Sequence, residues 1–205
     1  MGMDLYGLKP SGEITPDFNV SWDKKQVEAY FTWQDNTKGA YFRANVWFWH
    51  PLWNYVVNNC GDILNKKDII YGSSNDGHKI SKTKSIKIAQ RLNKLLKNGH
   101  TRRYENAYVK EMESLPLEEC KICKGTGVRK GWEGWQSEIE WLSHHKNMKT
   151  DDGSISYEHA HRCNGCNGCS GKGKIKSFSR NYPFDRDSIE QFAEFCKFSG
   201  GFRIC

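Results

Sequence analysis

Two short segments constrain this chain more than anything else in it. Cys120-Lys121-Ile122-Cys123-Lys124-Gly125-Thr126-Gly127 and Cys166-Asn167-Gly168-Cys169-Ser170-Gly171-Lys172-Gly173 share the pattern C-x-x-C-x-G-x-G. Two residues between cysteines let both sulfurs reach one ion at about 2.3 Å, and two such pairs complete a tetrahedron. The glycines serve the backbone, which must turn tightly after the second cysteine through positive φ. The pattern predicts one structural zinc held by Cys120, Cys123, Cys166 and Cys169. A closed four-cysteine shell leaves no position for water or substrate, so the ion is expected to stabilise rather than to catalyse. Cys163-x-x-Cys166 is also a pair, which keeps Cys163 as an alternate ligand, although the glycine pattern favours Cys169. A second site built from Cys163 with His159 or His161 lacks a nameable fourth ligand.

On these residues the chain resembles the cysteine-rich zinc domain of DnaJ-type chaperones, which is built from C-x-x-C-x-G-x-G repeats. Those domains carry twice as many repeats and zincs; the two repeats here imply one ion. The chain has no J-domain His-Pro-Asp, so the resemblance does not imply chaperone recruitment. The late-gene antiterminators of lambdoid phages look similar in layout, with two repeats split by an insert. The remaining sequence, with Met3-Asp4-Leu5-Tyr6-Gly7, its Trp-rich block and Ser199-Gly200-Gly201-Phe202, looks like uncharacterised phage proteins. That resemblance implies a viral setting, hence a host cytosol, and supplies no activity.

No segment approaches the roughly 20 apolar residues that span a membrane. The N-terminus lacks the charged-then-apolar layout of a secretory signal, and Tyr6 stands where a myristoylation pattern wants Ser or Thr. A cytoplasmic protein is expected, with its 8 cysteines reduced. Cys60, Cys196 and Cys205 then read as ordinary buried or terminal thiols. The net charge of +7 is local: nine Lys or Arg and no Asp or Glu lie between His78 and Arg103, while the rest carries 22 basic against 24 acidic residues.

The expected class is α+β, a mixed small domain with an inserted four-cysteine zinc-knuckle module. Residues 1–114 form an aromatic-rich region with a basic helix, 115–181 the knuckle module with a helical insert, and 182–205 a helix and strand that pack back on the first region. The first forty residues read as strands and turns, with strands at Leu5–Leu8 and Phe18–Trp22. Pro51 biases His50 away from helix and opens a helix over Pro51–Asn59. Ser81, a good N-cap, and Gly99, a C′ glycine, bound a helix whose buried stripe is Ile86 (or Ser85), Ala89, Leu92 and Leu95/Leu96. Trp132, Trp135, Ile139 and Leu142 mark the helical insert, and a polar loop over 149–153 follows it. Lys174–Arg180 reads as a strand, Asp187–Phe198 as a helix capped by Asp187, and Phe202–Cys205 as a last strand.

The spacing of Lys84, Lys87, Arg91 and Lys94 makes a basic ridge on the second helix, extended by Lys79, Arg102 and Arg103. Lys172, Lys174 and Lys176 would share one face of the later strand. Such rows neutralise phosphates and release counterions, so the expected partner is nucleic acid or a nucleotide. A solvated lysine face is the plain alternative, since Arg is the better bidentate reader. Ser74-Asn75-Asp76-Gly77-His78 is a candidate ligand loop whose backbone N–H groups could meet a phosphate, or simply a polar turn. Trp47, Trp49 and Trp53 could stack on a base, although most Trp at such density are core. His50, Asp76, His78 and Cys60 are reactive types with nothing to fix their geometry, and no nucleophile–base pair points to catalysis. The leading expectation is a phage-type, zinc-stabilised nucleic-acid-binding protein. The alternatives are a protein that sequesters a small nucleotide such as a host immune signal, and a protein–protein inhibitor of a host factor that docks through the knuckle and insert.

Overall fold

The computed structural model describes residues 2–12, 21–127, 166 and 168–205. The insert helix expected around Trp132–Leu142, the 149–153 loop, Cys163, His159, His161 and most of the Phe18–Trp22 strand lie outside the described residues. The chain divides into two compact units, Met1–Met112 with Asn181–Cys205, and Glu113–Arg180.

The first unit is built on a four-stranded antiparallel sheet, ordered β2-β1-β6-β3. Its strands are β1 (Gly2–Gly7), β2 (Tyr41–Asn45), β3 (His78–Ser81) and β6 (Gly201–Ile204). The last strand of the chain therefore sits inside the sheet, closing it between the first strand and the third. Alternation buries Met3, Leu5, Phe42, Ala44, Ile80 and Ile204 on one face. That face is covered by α2 (Val46–Cys60), α4 (Lys82–Lys97) and α6 (Arg186–Phe198). The class is α+β, as the sequence indicates.

Three helices lie where no helix is expected, and the first of them replaces part of the strands and turns expected over the first forty residues. α1 (Lys24–Asn36) starts at a capping box in which Asp23 accepts from the Gln26 N–H and Gln26 accepts from the Asp23 N–H, both at 2.9 Å. α3 (Lys66–Tyr71) repeats the device with Asn65 and Asp68. α5 (His100–Ser114) follows Gly99, whose φ of 73° ends α4. In each case reciprocal caps or tertiary contacts stabilise a helix whose apolar stripe is faint.

α2 corrects the expected start at Pro51. Asn45 caps it by accepting from the Phe48 N–H at 3.0 Å, and the helix runs through Pro51. The proline removes one backbone bond, but burial of Trp49, Leu52, Trp53, Tyr55 and Val56 along this helix outweighs that cost. The Trp49 and Trp53 rings stack at 5.5 Å, and their N–H groups donate to the carbonyls of Gly72 and Ile69. Both indoles are thus core with satisfied polar ends. Trp47 is 37% exposed and rests on Tyr182.

Ser81 caps α4, and the buried stripe is Ser85, Ile88, Ala89 and Leu92, with Ile86 half-buried. α4 and α6 make the most extensive helix–helix contact. Ser85 there donates to the Cys196 carbonyl at 2.6 Å. α6 is capped by Asp185 rather than Asp187: the Asp185 carboxylate accepts from the N–H groups of Asp187 and Ser188. The second unit contains a two-stranded antiparallel sheet of β4 (Leu117–Glu119) and β5 (Lys174–Lys176), which is shorter than the expected strand because a 3₁₀ turn takes over at Phe178–Asn181. No helix among the described residues is long and apolar enough to cross a membrane.

Candidate metal centre and basic face

The β4–β5 register sets Glu119 opposite Lys174, so the cysteine segments leave the sheet side by side. The Cys120 N–H donates to the Gly173 carbonyl at 2.9 Å, and the Cys166 N–H donates to the Gly127 carbonyl at 2.7 Å. Each knuckle therefore holds the first cysteine of the other through its own last glycine. Both make the same internal turn: Gly125 N–H to the Cys120 carbonyl and Gly171 N–H to the Cys166 carbonyl. The turns pass through positive φ at Lys124 and Gly125, and again at Ser170 and Gly171. At Gly127 and Gly173 a side chain is excluded outright, since an added Cβ would lie 2.4 Å from the Gly171 carbonyl oxygen and 2.2 Å from that of Gly125.

This pairing brings the Sγ atoms of Cys120, Cys123, Cys166 and Cys169 within 4.8 Å of one another, all buried. Cys120 and Cys166 sulfurs lie 3.9 Å apart, and Cys123 and Cys169 sulfurs 3.7 Å. A tetrahedron with metal–sulfur bonds of about 2.3 Å has edges of about 3.8 Å. The Gly127 and Gly173 N–H groups point at the Cys123 and Cys169 sulfurs at 3.3 and 3.2 Å, where they would stabilise thiolate charge. The donor set and its spacing fit a metal ion, and these four cysteines could hold one. Backbone N–H groups of Cys123 and Ile122 bring Cys120 down to about 7, whereas burial pushes Cys169 up to about 11. Elsewhere, burial pushes the Cys60 thiol up to about 11, which leaves it inert.

The basic residues are placed less evenly than their spacing suggests. Lys84 forms an ion pair with Asp68, and Arg91 with Asp62 at 2.8 Å while also donating to the Asn59 carbonyl. Arg91 holds the Asp62 carboxyl below its usual range. Lys79, Lys82, Lys87, Lys94 and Lys97 have no ion-pair partner among the described residues. Arg102 and Arg103 are exposed on α5, and Arg103 donates to the Asn98 carbonyl. Lys172, Lys174 and Lys176 are exposed in the second unit, with Lys174 across from Glu119.

A groove of about 870 Å³ runs along the C-terminal half of α4, between it and the end of α6. Ile86 and Ala89 form its floor, Lys94, Lys97 and Lys197 its cations, and Gln90, Asn93 and Asn98 its amides; among the described residues no carboxylate lines it. A second groove of about 390 Å³ shares Gln90 and Lys94 and adds Lys87, Arg91, Ile63 and Asp62. The spacing of the ridge does not reveal Lys197, because only the α4–α6 packing brings it to Lys94. Nor does it reveal Asp68 and Asp62, which claim two of the ridge's cations.

Several donors of the Ser74–His78 loop are engaged within the fold. The Gly77 N–H goes to the Ile204 carbonyl, the Ser74 N–H to Tyr71 and the Ser74 hydroxyl to Asp76. The Asn75 amide donates to the Gly2 carbonyl, and His78 meets Asp68 at 3.0 Å. His50, Asp76, His78 and Cys60 share no hydrogen bond with one another: His50 packs on Tyr182, and Cys60 is buried at the end of α2. No protein-family model, curated protein or solved structure matches this chain, so its own geometry carries the functional argument.

Proposed function

We propose that this chain is a zinc-stabilised nucleic-acid-binding protein of phage type, acting in the cytoplasm, with its α4 face as the binding surface. Zinc suits a closed shell of four thiolates better than the harder divalent ions, which prefer oxygen ligands. The ion has no open coordination position, and its part is to hold the two cysteine turns together beside β4 and β5. The reading of the partner is carried by one observation: three lysines from two helices converge on a groove that no carboxylate among the described residues lines. Clustered cations repel one another, and a polyanion relieves that repulsion while releasing its own counterions.

The proposal predicts how the cations divide. Lys94→Ala and Lys97→Ala are each expected to reduce the slope of log affinity against log salt by about 0.7 on single strands. Lys84→Ala should leave the slope nearly unchanged, because Lys84 is already engaged by Asp68. Fluorescence anisotropy with labelled DNA and RNA between about 50 and 200 mM salt measures this. An unchanged slope in a Lys94, Lys97 and Lys197 triple alanine variant would falsify the assignment.

A further inference from the structure

We infer that the groove along the C-terminal half of α4 receives an unstacked base, so that the partner is single-stranded nucleic acid. This inference rests on the nucleic-acid reading above and names the form the partner takes. A lysine ridge alone would suit any phosphate backbone. Here the lysines surround a recess whose volume, about 870 Å³, lies within the range of about 300–1,000 Å³ typical of small-molecule sites. Its floor is aliphatic, with Ala89 buried and Ile86 half-buried. A duplex keeps its bases stacked inside and offers phosphates and sugars at its surface, which would touch the lysine tips and leave the floor bare. A single strand can turn a base inward while its phosphates stay at the rim.

The walls supply both senses of hydrogen bond. Asn93, which lines the groove, donates its amide N–H to the Ala89 carbonyl, which leaves its Oδ1 as an acceptor. Asn98 accepts the His100 N–H on its Oδ1, which leaves its amide nitrogen as a donor. Gln90 is exposed between the two grooves and offers either. Beyond it the smaller groove continues past Lys87 and Arg91, on the path a backbone would take. Arg91 there is held by Asp62 through both terminal nitrogens, which leaves Lys87 and the shared Lys94 as the cations of this groove without an ion-pair partner among the described residues. The carbonyl end of α4 contributes about half a negative charge, against the three lysines. Among the described residues no aromatic ring lines the groove, so the base gains aliphatic contact and edge hydrogen bonds from them.

The test uses the full-length protein and an oligonucleotide of about ten nucleotides, in three forms: single-stranded, single-stranded with abasic positions, and duplex. The single strand is expected to bind about three- to tenfold more tightly than either other form, and 2-aminopurine within it should change in fluorescence on binding. Ile86→Gln, which alters the floor but not the charge, should lower single-strand affinity by a similar factor without changing the salt slope. Equal binding of abasic or duplex forms, with the salt slope intact, overturns the base-receiving groove and spares the nucleic-acid reading. No salt-dependent binding to any form overturns both. A free mononucleotide that competes as tightly as the oligonucleotide overturns the assignment to a strand. The abasic comparison uses the unmodified protein, so the inference stays exposed even if the Ile86 variant folds poorly.

Discussion

Under the zinc assignment proposed above, replacing Cys123 by Ser is expected to release the ion and, with it, the hydrogen-exchange protection of β4 and β5. The hairpin has little else to rely on. β4 and β5 contribute three residues each, Ile175 is the one partly buried hydrophobic residue packed against the cysteine cluster among those described, and Leu117 and Ile122 are exposed. Structural zinc in small modules supplies an apparent free energy on the order of 10–16 kcal/mol, nearly all of it folding energy. With one thiolate replaced by a poor hydroxyl ligand, affinity should fall by roughly 100-fold or more, since even residues that merely orient a ligand are worth 10–100-fold. Native mass spectrometry reads the stoichiometry, and exchange at residues 117–127 and 174–176 reads the fold. The amides of β6 should keep their protection, because the first unit has its own core around Trp49, Phe192 and Phe202. Gly173→Ala tests the geometry apart from the sulfurs: its Cβ would lie 2.2 Å from the Gly125 carbonyl oxygen at a φ of 71°. It too should lose zinc, with all four cysteines in place. Full zinc retention and native exchange in both variants would remove these four cysteines as the structural centre.

What was legible in the sequence was local. The knuckles could be read because both the ligand spacing and the turn glycines lie within eight residues, and the structure brings the four sulfurs together. α4 was legible from Ser81, Gly99 and its apolar spacing, and β6 from Phe202 and Ile204. α1 escaped because only Tyr30 and Gln34 are buried along it, so its 3.6-residue stripe is faint. Its signature lay in Asp23 and Gln26, the ends of a capping box. α5 buries only Thr101 fully, and its half-buried Tyr104 and Tyr108 pack on Phe184, far along the chain. The basic ridge shows the same limit in charge. Spacing places Lys84, Lys87, Arg91 and Lys94 on one side of a helix. That Asp68 and Asp62 neutralise two of them depends on loops folding back over 16 and 29 residues.

Asp68 accounts for the second large effect. Its side chain is 3% exposed, and it accepts from the Asn65 N–H, the Lys84 ammonium and the His78 ring, joining the start of α3, β3 and α4. An ionised carboxylate only accepts, so His78 must donate through Nε2 in whichever protonation state it holds. Burial works against this charge, yet the bonds from Lys84, the Asn65 backbone and His78 prevail and hold the carboxyl below its ordinary value of 3.8. Asp68→Ala leaves the Lys84 ammonium and the His78 ring without that acceptor and removes the reciprocal cap of α3. Loss of one partner from a buried pair costs 3–5 kcal/mol. The side chains of Lys84 and His78 are 26% and 19% exposed, which places the loss near the lower end, about 3 kcal/mol, or roughly 6–12 °C in Tm. The pH dependence has a definite sign. A depressed folded-state pKa gives a contribution fully present above the unfolded value and lost as pH falls through the folded one. The gap between native protein and Asp68→Ala should therefore narrow below about pH 4, by the part of it that the depressed pKa carries. A gap that persisted undiminished into strong acid would mean that Asp68 acts through packing and the cap, with little contribution from its charge.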